Sequence, residues 1–111
     1  MKKTKNFLKN FETKEDLIYY DGPLISIIEK SNKLYYTQWL DVKNNINYYL
    51  IKETNEKEIK SLKDNRLSIR NLFRKEGDIF VLVLGKKETL WKTNLKEKKN
   101  DLPKDNVYLN I

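Results

Sequence analysis

The chain has 111 residues and a formal net charge of +7, and it contains neither Cys nor His. This length is enough for one domain with a single modest core, and the missing residue types exclude disulfides, thiolate or imidazole metal ligands and His-dependent catalysis. No apolar run reaches the roughly 20 residues of a membrane span, and the charged start lacks the apolar core of a signal peptide. We therefore expect a cytoplasmic protein without a cofactor, a metal or an enzymatic activity.

The first 14 residues form a Lys-rich segment that we predict to be a helix or an arm. Within it, Phe7, Leu8 and Phe11 have the i, i+1 and i+4 spacing of one helix face. This spacing predicts a short amphipathic helix over residues 4–12, with Thr4 as its N-cap. We interpret the helix as folding back to cover the sheet, and the alternative is a detachable aromatic arm that grips a partner.

The next signal is the Asp21-Gly22-Pro23 turn, which stands between two runs of aliphatic and aromatic residues. Asp-Gly tolerates positive φ, and Pro lacks an N–H and so suits the first residue of a strand. The turn therefore predicts extended segments on both sides. Short apolar or alternating runs then predict three strands of an antiparallel meander, at residues 24–28, 34–40 and 46–52.

Two short helices are predicted after the third strand. Asn55 and Glu58 have the spacing of a capping box, which predicts the start of a helix of about two turns. Asp64-Asn65 ends this helix, and Ser68 is the predicted N-cap of the second one.

The remaining sequence completes the sheet. Residues 78–84 are the most hydrophobic run and predict a buried strand, and residues 89–94 alternate as an edge strand does. Residues 96–101 are polar and predict a loop. Residues 107–111 regain apolar alternation and predict a last extended segment.

Together these elements predict an α+β fold with a single antiparallel sheet of about five strands and two or three short helices packed on it. We expect a single domain over residues 1–111. In it, the Lys-rich segment 1–14 precedes an α+β core at 15–95, and a loop with a C-terminal extended segment occupies 96–111.

Residues 19–24 read Tyr-Tyr-Asp-Gly-Pro-Leu. With the following Tyr-rich strand and Trp39, the helical stretch at 67–73 and the Leu-Pro-Lys element at 102–104, they resemble a small uncharacterised bacterial domain family that opens with a Tyr-Tyr-Asp-Gly-Pro-Leu-Leu-like motif. The resemblance spans about residues 16–109. It implies a bacterial protein, and it carries over no catalytic residue because the family is described by sequence and not by activity.

Two surface features are candidates for contact with a partner. Each of three adjacent Tyr pairs points one ring to either face of a strand, so outward rings that align form a platform for a protein or for stacked bases, unless the helices bury them. Three Arg residues spaced by four share a helix face if the second helix includes Arg66, and they then fit an anionic partner or pair with nearby acids. The candidate interaction residues are Tyr20, Tyr35, Trp39, Tyr48, Arg66, Arg70, Arg74 and Trp91.

These features favour a non-catalytic interaction module that acts by protein binding. Its class includes small inhibitors from phages and mobile elements, such as anti-CRISPR proteins, and antitoxins and immunity proteins. The expected partner is another protein, such as a nucleic-acid-processing effector, and a homodimer through the edge strand at 89–94 is a further option. A carboxylate-based enzyme would need a second acid to converge on Asp21.

The alternative is a nucleic-acid-binding protein that uses the Lys-rich termini and an aromatic sheet face. Five Lys against one Glu give residues 1–14 a charge of +4, and five Lys against three acids give residues 92–111 a charge of +2. The middle, residues 15–91, has 13 basic and 12 acidic side chains. Only three of the 23 basic residues are Arg, the residue best suited to phosphate and guanine, which favours a protein partner.

Overall fold

The computed structural model describes residues 12–19, 23–85, 88–104 and 107–109. These residues form one antiparallel sheet of six strands, which are paired in the order in which they occur along the chain. Such a meander joins each strand to its neighbour by a local connection. The strands are β1 (Glu12–Tyr19), β2 (Pro23–Lys30), β3 (Lys33–Lys43), β4 (Ile46–Thr54), β5 (Ile79–Leu84) and β6 (Glu88–Thr93).

The predicted α+β class is confirmed, and the sheet has six strands where about five were expected. The additional strand is β1, which begins at Glu12, the residue where the N-terminal helix was expected to end. Tyr19 of β1 pairs with Pro23 of β2, so the two extended segments predicted around the Asp-Gly-Pro turn are confirmed. Residues 20–22, and residues 4–11 of the expected helix, lie outside the described residues.

Two-residue turns connect the central strands. Ser31 and Asn32 have φ angles of 52° and 64°, and Asn44 and Asn45 have φ angles of 52° and 65°. Positive φ at both central positions is what a type I′ turn requires, and Asn tolerates it better than most residues do. These tight turns fix the register of β2, β3 and β4, and they let β3 run further than the sequence pattern predicted.

Both predicted N-caps are confirmed in the helical connection between β4 and β5. The Asn55 Oδ1 atom accepts a hydrogen bond from the Glu58 backbone N–H at 2.9 Å. The Ser68 Oγ atom accepts one from the Asn71 N–H at 3.2 Å. Each cap satisfies an N–H that the first helical turn leaves without an intrahelical partner. The described helices are α1 (Glu56–Lys63), α2 (Ile69–Arg74) and α3 (Leu95–Lys98).

The main hydrophobic core lies between the helices and one side of the sheet, which we call the helical face. Tyr36 from β3, Leu62 from α1, and Leu72 and Phe73 from α2 are buried there together. The rings of Tyr36 and Phe73 meet edge to face at a centroid distance of 5.7 Å, and the Tyr36 hydroxyl donates to Gln38 Oε1 at 2.9 Å. Burial raises the pKa of the Tyr36 hydroxyl, so this phenol stays protonated and its hydrogen bond persists.

The segment after β6 differs from its prediction. The polar loop expected at residues 96–101 is helical, in α3 and in a 3₁₀ turn at Lys99–Asp101. The cause is a capping signal, because Asn94 Oδ1 accepts from the Glu97 N–H at 3.0 Å. This is the same Asn and Glu spacing that correctly predicted the start of α1.

The C-terminal part of the described chain packs on the helical face. Leu102 and Leu109 are buried in the main core, and the Ile69 N–H at the start of α2 donates to the Val107 carbonyl at 3.1 Å. Docking of the last segment is therefore confirmed for the described residues 107–109, although they do not form a strand.

Lys52 is a fully buried charged residue in β4, directly opposite Tyr36 on the helical face. Its Nζ donates to the Glu53 carbonyl at 2.6 Å and to the Glu76 carbonyl at 2.9 Å. Burial lowers the pKa of the Lys52 ammonium, and nearby carboxylates partly oppose this effect. The ammonium connects β4 to the loop that leads into β5. Gly77 in that loop has no side chain and so leaves space for the Lys52 ammonium.

We expect Gly77→Ala to lower the free energy of unfolding by roughly 1–3 kcal/mol. Gly77 has a φ of 128°, and an added Cβ would stand 2.7 Å from Nζ of Lys52. Gly85→Ala is the matched control, because an added Cβ there meets the Ile46 side chain at 3.2 Å. Urea denaturation of the two variants measures the difference, and equal stability would contradict the close approach at Gly77.

A second prediction concerns the charge of Lys52. Lys52→Met leaves the Glu76 carbonyl without this donor, so we expect a loss of about 1–3 kcal/mol near neutral pH. Because the folded-state pKa of Lys52 is lowered, the unfolded chain binds more protons between that pKa and about 10.4. The wild type should therefore gain stability over Lys52→Met as the pH rises toward about 10.

Denaturation curves at several pH values test this, with Lys57→Met on the exposed side of α1 as the control. The stability gap between the wild type and the control should not change with pH. A gap between the wild type and Lys52→Met that is equally constant would show that the Lys52 pKa is not lowered.

Candidate interaction surface

The side of the sheet opposite the helical face, which we call the second face, is defined by strand register. Directly opposed residues of antiparallel strands point to the same side of a sheet. The opposed pairs run through all six strands, from Thr13 opposite Ile28 in β1 and β2 to Leu82 opposite Leu90 in β5 and β6. The second face includes Thr13, Asp16, Ser26, Ile28, Lys30, Lys33, Tyr35, Thr37, Trp39, Asn47, Tyr49, Ile51, Glu53, Phe80, Leu82, Leu84, Glu88, Leu90 and Lys92.

A second hydrophobic cluster occupies this face. Ile51 has 0% of its surface exposed and Leu82 has 2%, and Leu90 is buried beside them. The partly buried residues around them also come from the strands, and no residue of α1, α2 or α3 belongs to the cluster. The sheet is therefore apolar on both sides, whereas an antiparallel sheet with one side in water alternates apolar and polar residues.

A groove runs across the second face from β1 to β5. Its volume is about 160 Å³, and it is lined by Thr13, Asp16, Ser26, Ile28, Thr37, Tyr49, Ile51, Leu82 and Leu84. In a flat sheet the first and fifth strands lie about 19 Å apart. Side chains of both strands nevertheless line one groove, and β1 has three register shifts against β2, which are places where a strand can bend.

The small polar side chains of the groove come from β1, β2 and β3. Ser26 Oγ donates to Asp16 Oδ1 at 2.7 Å, and Thr37 Oγ1 donates to the Ser26 carbonyl at 3.3 Å. Asp16 is the only carboxylate among the lining residues. The groove therefore combines an apolar floor with one acceptor that suits a cationic or hydrogen-bond-donating group.

Two of the sequence-predicted interaction residues lie on the second face. Trp39 is half-buried and donates from Nε1 to Asn47 Oδ1 at 3.1 Å. Tyr35 lies opposite Ile28, and burial, with smaller contributions from two carboxylates, raises the pKa of its hydroxyl. Tyr35 is therefore a neutral phenol that presents both a ring and a polar hydroxyl.

Two other predicted residues lie on the opposite side. Tyr48 pairs with Val83 and Trp91 pairs with Val81, which places both on the helical face, and Trp91 packs against the main core. The aromatic residues of the prediction therefore do not form one platform. Tyr20 lies outside the described residues, as does Asp21.

The second face also contains aromatic residues that the sequence analysis did not select. Tyr49 is directly opposite Trp39, and Phe80 is directly opposite Ile51. The signal was present in the unbroken apolar run of β5, since a strand of an antiparallel meander that is apolar at every position must be covered or contacted on both sides.

The three Arg residues do not form the expected ladder. α2 begins at Ile69, so the exposed Arg66 lies outside the helix. Arg70 donates from Nε to the Pro103 carbonyl at 2.8 Å and from Nη2 to the Leu102 carbonyl at 3.1 Å. Arg70 therefore holds the C-terminal segment on the helical face.

Arg74, at the end of α2, donates from Nη1 to Asn71 Oδ1 at 2.6 Å. This bond stays within one turn of the helix, and it keeps the Arg74 guanidinium at the exposed surface of α2. The three guanidiniums thus lie in three different environments. They do not converge on one site, as the members of an anion-binding cluster must.

Comparison with models of protein families, with curated proteins and with solved structures finds no match for this chain. Within the described ranges, no group of three or more Asp and Glu side chains is placed to hold a metal ion. No helix in the described part of the chain is long and apolar enough to cross a membrane.

The different settings of the Arg residues give a testable difference. Arg70→Lys keeps the charge but loses the guanidinium fork that contacts two carbonyls, so we expect the free energy of unfolding to fall by about 1–3 kcal/mol. Arg66→Lys, the matched control at an exposed position, should change it by less than about 0.5 kcal/mol. Guanidinium denaturation measures both, and an Arg70→Lys variant as stable as the control would contradict the anchoring role.

Proposed function

We propose that this protein is a non-catalytic module that binds another protein through the second face. The observation that supports this most directly is the apolar cluster around Ile51 and Leu82, on the side of the sheet that none of the described helices covers. Protein interfaces are enriched in Tyr, Trp and Phe around a desolvated centre. Tyr35, Trp39 and Phe80 supply such residues next to the groove.

The lining of the groove defines the chemistry of the partner. An aliphatic or aromatic side chain fits the groove beside the half-buried Tyr49 and Leu84, where burying apolar surface stabilises a complex by about 25 cal/mol per Å² before the costs of association. Asp16 favours a basic group beside that side chain. The partner segment we propose is therefore apolar at its centre and carries Lys or Arg at its margin.

The absence of Cys and the lack of a catalytic constellation in the sequence support a class within this function. The class we propose is that of inhibitors from phages and mobile elements, such as anti-CRISPR proteins, together with antitoxins and immunity proteins. These proteins act by occupying a surface of a target. The sequence resemblance to the bacterial family is compatible with this class and belongs to the same proposal.

Nucleic-acid binding is less well supported by the described residues. On the second face, Lys33 and Lys92 are engaged in ion pairs with Glu53 at 3.8 Å and with Asp78 at 3.1 Å, and the Asp16 carboxylate of the groove repels a phosphate backbone. Arg70 is engaged with backbone carbonyls. A labelled single-stranded oligonucleotide should therefore not bind at low salt, and binding that weakens steeply with added salt would favour the nucleic-acid alternative.

The proposal predicts that a charge placed in the groove abolishes partner binding. Thr37→Glu adds a carboxylate to the lining of the groove. Thr89→Glu is the matched control, since Thr89 is also half-buried but pairs with Val83 on the helical face. We expect the affinity for the partner to fall at least about tenfold, or about 1.4 kcal/mol, in the first variant only.

The partner is first identified by capture with the tagged wild-type chain and mass spectrometry, and its affinity for each variant is then measured by calorimetry with purified proteins. Circular dichroism checks that both variants are folded. Equal affinity of Thr37→Glu and the wild type would place the binding surface elsewhere and overturn the proposal.

A further inference from the structure

We infer that the protein has a second binding site, for a phosphate monoester, in a groove beside α1. The lining of this groove includes Lys57, Glu58, Ser61, Arg66 and Lys75, and we call it the basic groove. It shares no lining residue with the groove of the second face. The inference therefore goes beyond the proposed function and does not rest on it.

The local fold brings the first four of these side chains together. Lys57, Glu58 and Ser61 have the i, i+1 and i+4 spacing of one side of α1. After α1, Asn65 has a φ of 57° and turns the chain back. The Arg66 N–H then donates to the Ser61 carbonyl at 2.9 Å, so the backbone holds Arg66 beside this side of α1.

Lys75 lines the basic groove from the end of α2. It is the C-cap residue of that helix, and its N–H donates to the Leu72 carbonyl at 3.1 Å. Leu72 itself is buried in the main core. The backbones that carry Arg66 and Lys75 are thus both fixed by hydrogen bonds, whereas the two side chains are exposed.

The three cations of the basic groove differ from many other basic residues in their pairing. Among the described residues, no hydrogen bond or ion pair engages the side chain of Lys57, Arg66 or Lys75. Carboxylates do pair with Lys14, Lys33, Lys60, Lys63, Lys92 and Lys98. Cations that share a groove without such a partner produce a positive potential that attracts an anion.

The charge of the lining matches that of a phosphate monoester. Glu58 is the one carboxylate of the lining, and its Oε1 accepts from Thr54 Oγ1 at 2.7 Å. Three cations and one carboxylate leave the lining with a net charge of +2. A phosphate monoester carries about −1.5 to −2 near neutral pH, whereas each phosphodiester of a nucleic acid carries a single charge.

The donors and the size of the basic groove also suit such a ligand. Arg66 offers a planar fork that binds two phosphate oxygens at once, and the half-buried Ser61 adds a hydroxyl donor. The volume of the groove is about 380 Å³, within the roughly 300–1,000 Å³ of sites for small ligands. The phosphate group can belong to a small molecule or to a phosphorylated side chain of a protein, and the experiment below separates these sources.

Titration of the isotope-labelled protein with phenyl phosphate, followed by NMR, tests the site. In about 0.15 M salt, charges more than about 8 Å apart are largely screened. We expect saturable shifts of the backbone amide signals of Ser61, Arg66 and Lys75. Arg66→Gln with Lys75→Gln should weaken binding at least about tenfold, because charge-assisted hydrogen bonds to the phosphate are lost.

Lys43→Gln with Lys96→Gln is the matched control. It removes the same two charges at exposed positions outside the basic groove, and it should leave the affinity unchanged. Circular dichroism checks that both variants are folded. The absence of saturable shifts in the wild type would overturn the proposal, and so would equal weakening by the two pairs of substitutions, since net charge alone would then explain the binding.

Two further probes test the chemistry of the ligand. Phenyl sulfate has nearly the same shape as phenyl phosphate but a single negative charge, so it should bind more weakly, and equal affinity would overturn the match to a dianion. A peptide with one phosphoserine separates the sources. An affinity at least about tenfold above that of phenyl phosphate assigns the phosphate to a protein, and a smaller difference assigns it to a small molecule.

The same peptide with Glu in place of the phosphoserine should bind more weakly, and equal affinity would overturn the assignment to phosphate. Thr37→Glu, in the groove of the second face, should leave the binding of phenyl phosphate unchanged. The basic groove can therefore fail this test while the second face passes its own, and the reverse outcome is equally visible.

Discussion

The rest of the structure depends on the buried ammonium of Lys52. A fully buried charge is tolerated only when it is hydrogen-bonded, and here two backbone carbonyls serve as acceptors, one of them from the loop before β5. The helical connection between β4 and β5 must return the chain to the correct edge of β4, and the bond to the Glu76 carbonyl fixes this return. Gly77 completes the arrangement, because a residue with a side chain would displace the ammonium.

The two faces of the sheet differ in what packs against them. The helices, the C-terminal segment and the fork of Arg70 all pack on the helical face, where Tyr36 and Lys52 are satisfied by hydrogen bonds inside the core. Every buried side-chain polar atom in the described part of the chain has a partner. The proposed recognition therefore rests on the second face with its aromatic residues and not on an unpaired polar atom in the core of the described residues.

Local signals in the sequence predicted the fold well. Turn residues, helix caps and the alternation of strands depend on neighbours within a few positions, so the spacing of Asn55 and Glu58 was sufficient to place α1. The face to which an aromatic residue points was harder to predict. A register shift between Trp39 and Asp41 decides which residues of β4 lie opposite the residues of β3. For this reason Tyr49, and not the selected Tyr48, is the aromatic partner of Trp39. Lys52 gave no local signal, since its acceptors include a carbonyl 24 residues away.

The buried centre of the second face sets a condition on how the proposed partner binds. Ile51 and Leu82 are already shielded from water, so contact with them alone would add little to the stability of a complex. The half-buried side chains of Tyr35, Trp39 and Phe80 keep part of their surface exposed, and the burial of that surface would stabilise a complex. Aromatic residues around a desolvated centre are a common arrangement in protein interfaces.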